Sequence, residues 1–265
     1  MRTLKDKVIW ITGASSGIGE GLAYALAKQG AKLILSSRRK EALEKVKSQC
    51  FGDRNSIVTM ACDLTQIDLM PQLVKQAVEQ FGRIDLLING IGVSQRSLIK
   101  ETSLEVERKL MEINYWSHVA LTKNLLPYLL KQQSGHIVVL SSLAGKMGVY
   151  YRSSYCAAKH ALYGFFETLR LEMMDENIKV MIACIGWVNT TISLRALTKD
   201  GSSYGIVSKG LREGISVDYC AEKIIKGILR EKDEVFVGGK EMVALWLKFF
   251  VPSLFKRMLK KHKED

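Results

Sequence analysis

The segment spanning residues 8–36 constrains this chain most. Residues 8–11 form a short apolar run, the look of a buried parallel strand. Residues 12–19, TGASSGIG, follow and lead into an apolar-periodic helix that ends near Gly30. Residues 32–36 read as a second strand. A strand, a glycine-rich turn and a helix make a phosphate cradle. Gly13 and Gly17 let the backbone turn and approach an anion, and Gly19 lets helix and strand pack closely. The helix N-terminus adds N–H groups and the positive end of its dipole. Ser15, Ser16 and Ile18 belong to the same turn and count with it as candidate cofactor-binding residues. The glycine spacing is not the G-x-G-x-x-G of the general dinucleotide fingerprint.

A nucleotide-binding unit of this kind carries its ribose-sensing residue at the end of the second strand. An acidic residue there would bind a ribose 2′-hydroxyl and favour NAD. The chain instead reads Ser36-Ser37-Arg38-Arg39. Two guanidiniums with no carboxylate suit a 2′-phosphate, and so NADP(H). The plainer alternative is a solvated helix start, since a polar helix follows.

The same alternation continues. Strands are expected at 57–61, 84–88, 136–140, 180–184 and 235–237, with helices between them. Asp63 follows the third strand, with Leu64 beside it; the carboxylate could accept from an adenine amino group or cap the next segment. Asn89 and Gly90 end the fourth strand, where glycine again lets backbone approach a ligand. Thr102 and Glu105 fit a capping box opening one long helix to about residue 130, with Asn114 inside it. Residues 190–216 lack clear periodicity and hold several glycines; a substrate lid fits. Leu194, Leu197, Tyr204, Ile206, Val207 and Leu211 could cover an apolar pocket. The expected fold is α/β: a single Rossmann-like, doubly wound, mostly parallel seven-stranded sheet with helices on both faces. One domain spans 1–240, and a basic amphipathic tail spans 241–265.

The catalytic candidates lie after the fifth strand. Tyr155 and Lys159 are four apart, so on a helix they share one face. A cation beside a phenol favours phenolate and makes a usable acid or base. Tyr24/Lys28 and Tyr219/Lys223 have the same spacing, so spacing alone decides little. Tyr155 differs because Ser142 stands at the carboxyl end of a strand, where open α/β sheets bind ligands. Ser141 and Ser142 as plain turn residues is the competing reading.

Other features exclude more than they assign. Five cysteines form no C-x-x-C pair, which suits reduced thiols rather than a disulfide framework. The four histidines show no metal-ligand spacing. The net charge is +12, from 39 basic and 27 acidic residues. No RNA-binding motif or aromatic-interleaved basic strand accompanies it, so nucleic acid is not expected as a partner. The N-terminus has no secretion-signal pattern and no stretch reaches membrane-spanning length. A cytoplasmic protein is expected, with peripheral contact to a membrane face through the tail. In 241–263, Leu247, Phe250, Val251, Leu254, Phe255 and Met258 recur at helical spacing between lysines and arginines, and Pro252 should split the helix. Two readings stay open for the tail: a helix on an anionic membrane surface, or one packed on the body or on a second subunit.

Taken in order, TGASSGIG at 12–19, Asp63, the turn 89–92, Asn114, Ser142, Tyr155 with Lys159, and residues 186–190 resemble the short-chain dehydrogenase/reductase family over residues 5–240. Residues 92–98 and the basic apolar tail look like its membrane-associated branch, which includes the 11β-hydroxysteroid dehydrogenases and related dehydrogenase/reductase proteins. The resemblance implies hydride transfer between NADP(H) and a carbonyl or secondary alcohol. It implies that Tyr155 gives or takes the proton and that Lys159 lowers its pKa and binds nicotinamide ribose. Ser142 would orient the carbonyl, Asn114 would hold a relay water, and Val188 and Thr190 would contact the nicotinamide end. It also implies a homodimer or homotetramer. The family's Asn-Asn-Ala-Gly is here Asn89-Gly90-Ile91-Gly92, and its Pro-Gly is Ile185-Gly186. The apolar lid, with Met147, Val149, Tyr150 and Tyr151, favours a lipophilic substrate. The rival from another class is a cofactor-binding sensor or scaffold without turnover.

Overall fold

The computed structural model describes residues 3–261. Seven strands form one parallel sheet: β1 (Val8–Thr12), β2 (Lys32–Ser37), β3 (Ile57–Ala61), β4 (Leu86–Asn89), β5 (Gly135–Leu140), β6 (Ile178–Ile185) and β7 (Glu234–Val237). Their order across the sheet is β3-β2-β1-β4-β5-β6-β7, and every neighbouring pair is parallel. The chain reverses its winding between β1 and β4, which opens a crevice at the carboxyl ends of these strands.

The helices are α1 (Gly17–Ala27), α2 (Lys40–Gln49), α3 (Met70–Phe81), α4 (Leu104–Met111), α5 (Ser117–Lys131), α6 (Ser153–Glu172), α7 (Lys209–Arg212), α8 (Val217–Leu229), α9 (Val243–Phe250) and α10 (Pro252–Lys261). Strand side chains alternate between faces, so β1 supplies two cores. Ile9 and Ile11 pack with α1, α2 and α8. Val8 and Trp10 pack with α3, α5 and α6 on the other face. The buried Trp10 indole donates to the Ser36 hydroxyl at 2.7 Å, which removes the cost of an unpaired N–H.

Three features differ from expectation, each for a local reason, and the expected break of the tail at Pro252 is present. β4 starts at Leu86 because the Asp85 carboxylate turns aside to accept the Val8 N–H at 2.9 Å and to pair with Arg83. Ser103, not Thr102, caps α4 by accepting from Val106 N; the Thr102 hydroxyl donates to the Leu98 carbonyl. The expected long helix is interrupted at Glu112–Trp116 by one wider π turn. Asn114 sits in that turn, and its side-chain amide donates to the Leu110 carbonyl at 2.9 Å. The tail splits at Pro252, as the missing N–H requires, into α9 and α10.

The tail packs on the body. Ala244 is buried against Leu143 and Met147, joined by Leu245, Phe255, Met258 and Leu259. Glu241 Oε1 accepts from Trp187 N at 2.8 Å and from Gly239 N at 3.0 Å. Residues 262–265, the end of the expected tail, lie outside the described residues.

Candidate active site

The carboxyl ends of the strands surround a cavity of about 1010 Å³. Gly13, Ser15, Ser16, Gly17, Ile18 and Gly19 line one end of it, with Arg38, Arg39, Asp63 and Leu64. Gly90, Ser142, Tyr155, Lys159, Val188 and Thr190 line the rest. Two predicted residues stand behind the wall. Asn89 is fully buried and its amide donates to the Thr122 hydroxyl at 3.1 Å. Asn114 is also fully buried. Its amide donates to Val93 O and Leu110 O while Oδ1 accepts from Val93 N, so the side chain holds both backbone groups of Val93.

The glycine-rich turn is as close-fitting as its sequence implies. A Cβ on Gly13 would stand 2.6 Å from the Gly90 carbonyl oxygen, and Gly13 has φ +70°. A Cβ on Gly19 would stand 2.5 Å from the Gly13 carbonyl oxygen. Ser16 makes no capping bond to α1; its hydroxyl meets Arg39 Nη2 at 3.0 Å. The same guanidinium donates to Ser15 O and Ser15 Oγ. The first N–H groups of α1 therefore stay open for an anion, in a turn braced by an arginine. These features fit a dinucleotide. Asp63 Oδ1 accepts from Thr65 N and from the Thr65 hydroxyl, so it caps its own turn while facing the cavity.

One lid residue joins this end without having been expected. Arg195, in the turn Ile192–Arg195, lines the cavity within range of Arg39 and Arg38. Burial, then those two charges, lower its pKa. Nothing local to 192–195 announces that meeting.

At the other end, α6 presents Tyr155 and Lys159. Ser142 stands two residues past the end of β5 and accepts from Ala144 N at 3.2 Å, with its hydroxyl bonded to the phenol. Lys159 is buried; its ammonium donates to Leu140 O at 3.0 Å and lies 5.8 Å from the Tyr155 ring centre. Burial lowers the Lys159 pKa to about 8. Burial also raises the Tyr155 phenol above its ordinary value, and the Arg152 charge and the Ser142 hydroxyl oppose that rise. Arg152 lies one helical turn before Tyr155, a spacing legible in the sequence.

Two further residues support the site. Gln95, fully buried, sends Oε1 to Ser154 N at 3.0 Å and Tyr155 N at 3.2 Å, and Nε2 to Ser97 and Ser153. It caps α6 from outside the helix. His118 Nε2 donates to Ile91 O at 2.9 Å. Burial, then the Lys159 charge, lower its pKa to about 3, so the ring is neutral. Among the described residues no cluster of His, Cys, Asp or Glu could hold a metal ion.

The "short chain dehydrogenase" family model matches residues 7–200. A "Dehydrogenase/reductase SDR family protein 7-like" of Drosophila melanogaster is 38% identical over 257 residues, covering 95% of this chain and 79% of the relative. "Dehydrogenase/reductase SDR family member 7B" of Mus musculus is 36% identical over 263 residues, covering 97% and 81%. A short-chain dehydrogenase structure from Streptomyces avermitilis is 26% identical with TM-score 0.81, over 97% of this chain and 96% of that one. A Burkholderia cenocepacia short chain dehydrogenase, solved with NADP, shares the fold at TM-score 0.79 and 23% identity, over 97% and 99%. A family model covering most of the chain and relatives matched over nearly all of this chain and about four fifths of their own length agree with the cradle and the Tyr155 helix: this chain belongs to the short-chain dehydrogenase/reductase family, in its dehydrogenase/reductase 7-like branch, and is an NAD(P)-dependent oxidoreductase.

Proposed function

We propose that the chain uses NADP(H) to reduce a carbonyl on a lipophilic substrate, or to oxidise the matching secondary alcohol. The observation that carries this reading is one cavity with arginines at one end and Ser142, Tyr155 and Lys159 at the other. A bound nicotinamide supplies or accepts the hydride. The chain's own groups handle the proton. A phenol whose pKa burial has raised keeps its proton at neutral pH, and so can donate it to a carbonyl oxygen. Ser142 offers a second donor beside it and fixes the carbonyl's direction. The charges of Lys159 and Arg152 then stabilise the phenolate left behind. Lid residues Leu197 and Leu211 and tail residues Met258 and Leu259 wall the cavity and exclude water. The preference for NADP(H) is supported by Arg38, Arg39 and Arg195, with no carboxylate at the end of β2.

Two measurements on the purified chain test the reading. Calorimetry should show NADPH binding more tightly than NADH. NADPH absorbance should fall with aliphatic and alicyclic ketones or aldehydes. Tighter NADH binding overturns the cofactor assignment. Cofactor binding with no turnover across the panel supports the sensor or scaffold instead.

The outward side of the tail supports peripheral membrane contact. Trp246, Phe249 and Phe250 are 68%, 70% and 69% exposed, and Leu254 is exposed beside them. Lys248, Lys256, Arg257 and Lys260 share the two helices. Exposed aromatics next to a helix carrying several cations suit an anionic lipid surface. Among the described residues no helix is long and apolar enough to cross a membrane. The protein should pellet with phosphatidylserine-containing vesicles, less at high salt. Trp246→Glu with Phe250→Glu should release it. Indifference to vesicles, with a homodimer or homotetramer dissociated by the same substitutions, assigns the patch to a subunit interface.

A further inference from the structure

Residues 185–190 run along the cavity wall between its two working ends. Ile185, Gly186, Trp187, Val188 and Thr190 all line it. Thr190 stands against the phosphate cradle: a Cβ on Gly17 would lie 3.3 Å from its Cγ2. A dinucleotide with its phosphates in the cradle and its ring at Tyr155 lies along this segment. The path of this backbone therefore sets where the ring sits. Part of the segment is tied within the body. Trp187 O accepts from Ile215 N at 3.0 Å, and Asn189 N donates to Ile215 O at 2.9 Å. Gly186 N donates to Val237 O at 2.8 Å, which continues the pairing of β6 with β7. Trp187 N donates instead to the tail, to Glu241 Oε1 at 2.8 Å. The same oxygen takes Gly239 N at 3.0 Å. One carboxylate oxygen thus joins the exit of β6 to the exit of β7.

The surroundings are shaped for that carboxylate. A Cβ on Gly186 would overlap it, one on Gly238 would stand 2.6 Å from Oε1, and one on Gly239 would stand 3.1 Å from Oε2. These glycines leave the room that a half-buried acid needs beside backbone N–H groups. The acid is held from its own side as well. It lies in the turn Lys240–Met242 that opens α9, and Ala244, in the next turn, is buried against Leu143 and Met147. A carboxylate oxygen accepting backbone N–H groups makes charge-assisted bonds, stronger than those to a neutral acceptor. Glu241 is thus fixed, lines the cavity and grips the segment the cofactor lies along.

We infer that Glu241 is a positioning residue for the nicotinamide. Through Trp187 N it sets the backbone of residues 186–188 against the ring, and so the distance from the ring to the group that Tyr155 protonates. The start of the tail then serves the chemistry as well as the packing. This rests on the nicotinamide-dependent reading above and not on which carbonyl is reduced.

The test compares each cofactor with the fragment that lacks its ring, by calorimetry on the full chain. NADPH is set against 2′-phospho-ADP-ribose, and NADH against ADP-ribose. The ratio of the two affinities isolates the nicotinamide. For the better-binding cofactor, Glu241→Ala should lower that ratio by about three- to tenfold, the scale of a lost hydrogen bond, and leave fragment affinity unchanged. Glu241→Gln keeps an accepting oxygen and should restore most of the ratio. Gly186→Ala, whose methyl displaces the carboxylate, should lower it alike. Gly186→Ala/Glu241→Ala should be no worse than the worse single variant, because the two changes act on one contact. Thermal midpoints check that the variants fold. A ratio unmoved by Glu241→Ala overturns the role. Equal weakening of whole cofactor and fragment also overturns it, since Glu241 is then a general prop. So does a wild type that gains nothing from the ring. If no ketone turns over and the ratios still behave as stated, the reductase reading fails and Glu241 keeps its role.

Discussion

The side-chain oxygen of Gln95 accepts the backbone N–H of Tyr155 at 3.2 Å across 60 residues of sequence. The same oxygen takes Ser154 N, so one amide satisfies two donors at the start of the catalytic helix. Gln95→Leu should cost about 1–2 kcal/mol in a urea melt, the scale of a lost cap. It should lower kcat more than it raises KM, because it misplaces Tyr155. Gln95→Glu keeps an accepting oxygen and should recover part of the rate. Equal kcat for wild type and Gln95→Leu would refute the positioning role.

Tyr155→Phe removes one proton and leaves the packing. Turnover should drop by about 10²–10⁴-fold, the usual share of general acid catalysis, while NADPH affinity stays unchanged. Lys159→Met should lose both turnover and cofactor affinity. The wild-type rate should decline as pH rises through about 8, where Lys159 gives up its charge. A flat profile from neutral pH to well above that value would contradict the assignment.

His118 makes the fold acid-sensitive. In the unfolded chain it takes a proton below about 6.5. In the folded chain it does so only near 3, because burial and the Lys159 charge oppose it. Between those values the unfolded state binds more protons, so stability is full above about 6.5 and is lost as pH falls toward 3. His118→Gln, which keeps a donor for Ile91 O, should flatten the decline in urea midpoint between neutral and mildly acid pH. An unchanged slope assigns the sensitivity to other groups, buried His136 first among them.

The arginine cluster predicts cofactor choice. Arg38→Asp should narrow or reverse the preference for NADPH over NADH. Arg195→Ala should weaken NADPH by about three- to tenfold, the value of one charge-assisted contact at an exposed site, and NADH less. Calorimetry reads both. Equal weakening of the two cofactors would move Arg195 from the 2′-phosphate to the pyrophosphate.

Much of this protein is written locally. The strand, turn, helix and second strand of residues 8–36 are contiguous, so periodicity and glycine placement reveal them without any distant partner. Tyr155 and Lys159 share a face because a helix repeats every 3.6 residues. Pro252 splits the tail because proline lacks an N–H, wherever the tail lies.

What tertiary structure decided is which distant pieces meet. The sheet order places β1 beside β4 and so brings Gly13 to within a missing methyl of Gly90. It brings Gln95 to the start of α6, Arg195 to Arg38, and Arg96 to Arg152. It also folds α10 back so that Met258 and Leu259 line the cavity, while Trp246 and Phe250 of α9 stay outside. A run of sequence carries the period of its own helix or strand. It carries no record of the charge or carbonyl that chain closure will set against it.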